Sequence, residues 1–393
     1  MSLWIDKYRP KTFEDLTIHP KLTKRLKKIS TTKDIPHLLF YGPSGSGKKT
    51  RILCLLRDLY GPDVDHVHSS RKDYKFKSGG TAELSILSSS YHIELNPSDV
   101  GVKDRKVIQE TLKEIAQTTP ISSYTSLKDM MKKGTKKNFF QKQTKTEKEK
   151  EKEKEKEKEK ENEKEKKIGY RVVILNEVDL LTREAQQALR RTMEKYTKTC
   201  RLILVCVNVS AIIEPLRSRC LLIRVPAPNK NEVQTLLEGV VKRQKLTAPT
   251  MFLKKIVNNS DLNIRRAILM LQSAKIDQYP FKEHQFVPLP DWQIYIADLA
   301  RSIVEEPQSP KQLLVIRNKL YELITHCIPT DVIFSVLLQE LLLKVDTGLQ
   351  KETISLAAYY EHKSKLGSKP IIHLEAFISH FMVIFKKFLT DFY

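Results

Sequence analysis

"YGPSGSGKKT", residues 41–50, decides how the rest of this chain is read. From Gly42 to Lys48 it fits the phosphate-loop template G-x-x-x-x-G-K-[ST]. In such loops successive backbone N–H groups curl around phosphate oxygens, glycines let the backbone approach, and the lysine reaches the terminal phosphates. Gly42, Pro43, Ser44, Gly45, Ser46, Gly47 and Lys48 supply those parts. The hydroxyl that normally closes the template and ligates magnesium is replaced by Lys49, and Thr50 comes one place too late. "HLLFY" (37–41) reads as a buried strand, and "KKTRILCLLRDLY" places Ile52, Leu55, Leu56 and Leu59 on one helical face. A strand, a glycine loop and a helix N-terminus together form an anion site. The alternative is a glycine turn with a chance lysine. Nucleotide binding, as ATP or ADP, is expected; hydrolysis is left open by this stretch alone.

A second nucleotide signature follows "VVIL": the residues "NEVDLL" (176–181). P-loop ATPases commonly end this strand in an aspartate that orders magnesium and a glutamate that activates water. Here the pair is Asn176 and Glu177. A neutral amide is a poor substitute for a carboxylate on a hard dication. Both protein anchors for magnesium, at Lys49 and Asn176, are therefore missing together. The pattern predicts a site that holds nucleotide with impaired hydrolysis, with no metal ligand among its side chains and Glu177 left as a catalytic base without an ordered ion.

At 393 residues the chain exceeds one ordinary core, so about two or three domains are expected. Its net charge of +22 points to a polyanionic partner, nucleic acid first. Residues 128–167 hold 17 lysines against 11 acids, which leaves +16 for the remainder. Within them "EKEKEKEKEKEKEK" (147–160) sets like charges at i,i+4 against opposite charges at i,i+3, and no apolar residue is available to bury a face. A disordered insertion over about 125–167 is expected. Five cysteines with no C-x-x-C pair read as small apolar residues in a reducing compartment. No apolar leader or bilayer-length run is present, so no membrane partner is expected and a cytosolic or nuclear protein is. "MKKGTKK" (131–137) is either an import signal or solvated surface. Histidines at metal-ligand spacing and a G-x-S-x-G elbow are both lacking.

Outside the insertion the first 225 residues alternate strand and helix, with further apolar runs at 91–95, 171–175, 202–207 and 221–225. "DRKVIQETLKEIA" and "TREAQQALRRTMEKY" supply helices between them. This pattern predicts an α/β fold: a parallel sheet with helices on both faces and ligands at the carboxyl ends of its strands. "VPAPNK" (225–230) marks a boundary, and a wholly helical stretch runs from there to about 280. After a proline-bearing linker (278–292) come the strongly apolar helices "QLLVIRNKLYELITHCI", "DVIFSVLLQELLLKV" and "HLEAFISHFMVIFKKFL". In the last, Leu374, Phe377, Ile378, Phe381, Phe385 and Phe388 form an i, i+3, i+4 stripe that serves either oligomerisation or the chain's own core. The expected domains are 1–227, 228–285 and 290–393.

Several stretches converge on one family. "LWIDKYRP" (3–10), "ELNPSDVGVKDR" (94–105), "AQQALRRTMEKY" (185–196) and "PLRSRC" (215–220) resemble the boxes of the small subunits of replication factor C, the eukaryotic sliding-clamp loader of the AAA+ class. The match runs nearly end to end apart from the insertion. GKKT with NEVD and the tail "AAYYEHKSKLGSK" (357–369) resemble one branch of those subunits most. The resemblance implies a P-loop AAA+ domain, a small helical lid and an all-α collar, in a nuclear heteropentamer with other replication factor C subunits. That complex uses ATP to open a sliding clamp and load it on primer-template DNA in replication and repair.

The resemblance also implies roles for single residues. Tyr8, Arg9 and Pro10 would lie at the adenine, Asn208 would be the first sensor, and Arg265 the second. Arg219 would project into a neighbouring subunit's ATP site as an arginine finger, a device worth ~10³ to 10⁵ in rate. Read without the family, "RSRC" is equally an ordinary basic surface cluster. Lys103, Arg105 and Arg183 stand at helix starts suited to DNA phosphate, which predicts sequence-independent, salt-dependent contact; a solvated basic face is the alternative. Lys49 beside the phosphates would take over part of magnesium's charge and favour a tightly held diphosphate. Two other classes compete: a P-loop nucleotide kinase, which would have no use for the apolar terminal helices, and a stand-alone DNA-binding scaffold.

Overall fold

The computed structural model describes residues 3–75, 81–117, 170–197, 199–283, 285–305 and 309–392. The expected insertion at about 125–167 and the lysine cluster at 131–137 lie outside them. The chain divides into two compact units, Met1–Val287 and Pro288–Tyr393.

The first unit is built on seven strands: β1 Leu38–Tyr41, β2 His68–Lys75, β3 Thr81–Ser88, β4 His92–Leu95, β5 Arg171–Leu175, β6 Cys200–Cys206 and β7 Leu221–Arg224. They lie in the order β2-β3-β4-β5-β6-β1-β7. β4, β5, β6, β1 and β7 are parallel, with β1 central enough to pair both β6 (Leu38 opposite Ile203) and β7 (Leu38 opposite Leu221). These are the five strands the apolar runs predict. The period of two then divides β1, β5 and β6 between two cores. Leu39, Val173 and Leu175 enter one, with Ala185, Leu189 and Met193 from a covering helix; Leu38, Phe40, Val172 and Ile174 enter the other, with Ile52, Leu55 and Leu56. A parallel sheet covered on both faces in this way reads as near-continuous apolar runs.

β2 and β3 differ from the expectation: they form an antiparallel ribbon at the β4 edge. An edge ribbon buries little, and Leu84 and Ile86 are its buried apolar residues among those described; "HSSRKDYK" itself carries no apolar run to read.

Nine helices of the first unit are described: α1 Trp4–Lys7, α2 Pro20–Thr31, α3 Lys48–Tyr60, α4 Asp104–Gln117, α5 Arg183–Tyr196, α6 Glu214–Arg217, α7 Lys230–Arg243, α8 Thr250–Asn259 and α9 Ile264–Asp277. Sequence-encoded caps set their starts. Thr182 Oγ1 accepts from Ala185 N–H at 3.2 Å before α5, and Asn263 Oδ1 accepts from Arg266 N–H at 3.2 Å before α9. The second unit contains α10 Asp291–Val304, α11 Pro310–Thr325, α12 Thr330–Leu342, α13 Thr347–Leu366 and α14 Pro370–Phe392. Of the aromatic and aliphatic stripe on α14, Leu374, Phe377, Ile378 and Phe381 are buried in this unit's own core, and Phe385 and Phe388 pack half-buried against it. The stripe is therefore core in this unit. α10 and α13 were not among the predicted apolar helices; α13 buries only Leu349, Thr353 and Ala357, too little to mark a face.

Two glycines fix where the phosphate loop can sit. Gly42 has φ of 150°, and a Cβ there would lie 1.9 Å from the Val225 carbonyl oxygen. Gly45 has φ of 72°, and a Cβ there would lie 1.8 Å from Asn263 Oδ1. Ile264 N–H also donates to the Gly45 carbonyl at 3.3 Å, so the loop is clamped against the start of α9.

We expect Gly45→Ala to lower stability by about 1–3 kcal/mol in thermal or denaturant melts, from left-handed backbone strain plus the clash. Adding Asn263→Gly should recover the steric share and leave the strain; no loss from Gly45→Ala would contradict the clamp. His37 supports a second expectation. It is buried, and its Nδ1 accepts from Leu202 N–H at 3.0 Å, which needs the neutral ring. Burial first, then the charge of Arg201, lower its pKa from 6.5 to about 4. The unfolded chain takes up this proton near pH 6.5 and the folded chain only near pH 4. Stability present above that window is lost as pH falls through it, by up to roughly 2–3 kcal/mol. Denaturant curves taken across the window should show a smaller pH dependence in His37→Gln than in the parent; equal slopes would contradict it.

Candidate functional site

A cavity of about 660 Å³ opens at the carboxyl ends of β1, β4, β5 and β6, where the topology places ligand sites. The loop after β1 forms its floor, Glu94 and Asn96 close it from β4, and Asn176, Glu177 and Asp179 from β5. Val207 follows β6, Arg243 comes from α7, and Arg265 from α9. The N-terminal segment makes the remaining wall with Tyr8, Arg9 and Pro10. That segment is tied to the helical subdomain: Trp4 N–H donates to Gln272 Oε1 at 2.9 Å, and Gln244 Nε2 donates to the Tyr8 hydroxyl.

Of the residues expected at a nucleotide, Tyr8, Arg9, Pro10, Ser44, Gly45, Ser46, Gly47, Lys48, Lys49, Thr50 and Arg265 line this cavity. Gly42 and Pro43 lie at the loop's entry, and their carbonyls accept from Lys48 Nζ at 2.6 and 3.0 Å. Burial lowers the pKa of Lys48 below its ordinary value. Asn208 is not part of the wall; its Oδ1 accepts from Ser210 N–H at 3.0 Å. Beneath the loop the fully buried Arg51 donates to the Ser46 carbonyl at 3.2 Å and the Ile18 carbonyl at 2.8 Å. Desolvation pulls its pKa down, yet the two carbonyls make this cation the strut on which the loop rests. Sequence reasoning passed over Arg51. The available signal was its place four residues before Leu55, on the buried face of α3.

The two departures from the phosphate-loop pattern meet on one carboxylate. Glu94, whose side chain is 8% exposed, pairs through Oε1 with Lys49 Nζ. The same Oε1 accepts from Asn176 Nδ2 at 2.7 Å, and Asn176 Nδ2 also donates to Asn96 Oδ1 at 2.8 Å. An ionised carboxylate only accepts, so the amide must turn its NH₂ toward Glu94. Glu94 was also missed by sequence reasoning; its signal was a charge inside "HIEL", a strand otherwise read as buried. Glu177 sits beside this cluster with φ of 52°, uncommon for a residue with a Cβ, and Ser98 Oγ donates to its Oε2 at 3.2 Å. Asp179 joins the β5 turn to the end of β6 by accepting from Val207 N–H at 2.9 Å and Asn208 N–H at 3.0 Å.

Arg219 follows α6 and does not line the cavity. Its guanidinium donates to the Pro215 carbonyl at 2.8 Å and pairs with Glu194 at 2.7 Å. Buried Gln186 holds the segment leading to α6, accepting from Ile213 N–H at 2.9 Å and donating to the Ala211 carbonyl at 3.2 Å. The residues expected at DNA gather at two adjoining helix starts. Lys103 ends the 3₁₀ segment Pro97–Lys103, Arg105 lies in the first turn of α4, and Arg183 opens α5. Buried Asp104 joins the two starts by accepting from Thr182 N–H at 2.8 Å and the Thr182 hydroxyl at 2.9 Å. Arg105 also pairs with Glu184 at 2.9 Å, so part of its charge is already compensated.

Comparisons with known proteins agree along the whole chain. Residues 18–229 match the family described as DNA polymerase III, delta subunit; residues 235–276 match the RCF1/5-like AAA+ ATPase lid domain. Residues 292–389 match the C-terminal domain of replication factor C subunit 3. Replication factor C subunit 5 of Oryza sativa is 43% identical over 392 residues, covering 99% of each chain. Replication factor C subunit 3 of Mus musculus is 42% identical over 391 residues, covering 100% of this chain and 98% of that one. The Homo sapiens subunit 3 is likewise 42% identical over the same length. The Thermotoga maritima RuvB Holliday junction branch migration motor superposes with a TM-score of 0.43 at 13% identity, covering 80% of this chain and 85% of that chain. With relatives of this identity matched end to end over an AAA+ fold, the chain belongs to the replication factor C subunit 3 family, the branch also numbered five in fungi and rice.

Proposed function

We propose that this chain is a clamp-loader subunit that holds ATP or ADP in its own cavity with little or no turnover, and that lends Arg219 to the ATP site of a neighbouring subunit. The observation that carries this reading is a division within one chain. A phosphate loop that keeps its glycines and Lys48 faces a cavity in which N–H donors occupy the two positions that ordinarily anchor magnesium, while Arg219 stands outside that cavity. In this reading Lys48 and Lys49 hold the phosphates, Arg265 approaches them from α9, and Tyr8, Arg9 and Pro10 enclose the base. Bound nucleotide supplies a polyanion that draws the loop and α9 together. Glu177 has no ordered ion to work with and is not the site of turnover.

The complex would be a heteropentamer of replication factor C subunits acting in the nucleus, opening a sliding clamp and loading it on primer-template DNA in replication and repair. Residues 1–227 would form the nucleotide domain, 228–285 its lid, and 290–393 the collar that joins neighbours. Lys103, Arg105 and Arg183 would follow the DNA backbone from the two helix starts that Asp104 holds side by side.

Two measurements test this reading. Arg219→Ala, assembled with the other subunits, should cut turnover at the site it serves by about a thousandfold or more and abolish clamp loading, while this chain still binds nucleotide. Unchanged DNA-stimulated ATPase and loading would defeat the finger. Neutralising Arg183 or Lys103 should weaken DNA binding evenly across sequences and reduce the slope of log K against log salt by about one for each phosphate no longer neutralised. A slope that does not move would leave these residues as solvated surface.

A further inference from the structure

The family's fold implies a magnesium ion beside the phosphates, and the residues present do not fit one. A P-loop magnesium site needs oxygen ligands at the positions of Lys49 and Asn176. Here an ammonium and an amide NH₂ stand there, both turned toward Glu94 Oε1. A dication between them would meet two N–H donors and a carboxylate oxygen already shared by both. The arrangement is built rather than accidental: Glu94 is buried, its charge requires a partner, and Asn176 is itself fixed by Asn96 Oδ1 at 2.8 Å.

Lys49 is not consumed by this pairing. Its side chain is 43% exposed against 8% for Glu94, and it lines the cavity. An ammonium has three N–H bonds, so those not spent on Glu94 remain for an anion. Lys48 is a separate cation, anchored on the Gly42 and Pro43 carbonyls.

We propose that this site binds a nucleoside di- or triphosphate without a divalent metal, with Lys49, held in place by Glu94 and Asn176, as the resident counter-cation of the phosphates. The inference rests on the nucleotide reading of the cavity and goes further by assigning Glu94 as the positioning residue for that cation. A consequence is that chelators that strip metal–nucleotide from ordinary P-loop sites leave nucleotide on this one.

The test is a titration of the full-length chain with the fluorescent analogue mant-ADP, once in excess magnesium and once in excess EDTA. The expected result is two dissociation constants within about fivefold of each other. A larger loss in EDTA overturns metal independence while keeping the nucleotide reading. No binding under either condition overturns the nucleotide reading and this inference with it. Lys49→Thr combined with Asn176→Asp should convert the site, weakening mant-ADP in EDTA by about tenfold and regaining it with magnesium. Should that variant fail to fold, Lys49→Thr with Glu94→Gln leaves no buried charge unpaired. It should bind mant-ADP about tenfold more weakly than the parent in EDTA, and equal affinity would overturn the role of Lys49.

Discussion

A carboxylate buried at the end of a parallel strand must find a counter-charge and N–H donors, and the partners Glu94 finds are the two residues that separate this chain from an ordinary P-loop ATPase. Without Glu94 the Lys49 ammonium would lose its ion-pair partner, and the Asn176 amide would keep only the Asn96 Oδ1 acceptor of its two. Together, with Glu94 between them, they close into a satisfied cluster. The coupling explains how two departures can coexist in one cavity without opening the fold around it.

The rest of the first unit serves to hold that cluster against the loop. Arg51 supports the loop from below through the Ser46 and Ile18 carbonyls, and Gly45 lets it press on Asn263 at the start of α9. The N-terminal segment closes the other side, where Trp4 and Tyr8 bond to Gln272 and Gln244. A ligand in the cavity would thus touch the sheet, the lid helices and the N-terminal wall at once. Occupancy would brace those parts against one another, which would give a nucleotide a structural use without turnover.

Much of this is legible in the residues alone. β1, β5 and β6 are apolar on both faces and β4 and β7 on one, enough to announce all five as runs, and the glycines and Lys48 identify the loop by spacing. The β2–β3 ribbon is not legible, because an exposed edge needs little apolar surface. The α14 stripe can be read as a helix face but not assigned to core or partner, since periodicity says which residues share a side and not what covers it. At the site, residue types at motif positions are readable, whereas the partners of Glu94, Arg51 and Asp104 are not, even where the residue's own position marks it. Each acts through a partner distant in sequence, as Asp104 does across 78 residues to Thr182.

If an ammonium has taken the place of the metal, the most direct measurement is whether the protein holds a divalent ion at all when nucleotide is present. Electron paramagnetic resonance of Mn²⁺ added to the full-length chain with ADP reports this, because protein-held Mn²⁺ differs in its spectrum from Mn²⁺ on free ADP. The expected spectrum contains only free Mn²⁺ and Mn²⁺–ADP in solution while ADP itself is retained by the chain. A stoichiometric protein-held Mn²⁺ signal that depends on ADP would contradict the exchange of metal for Lys49.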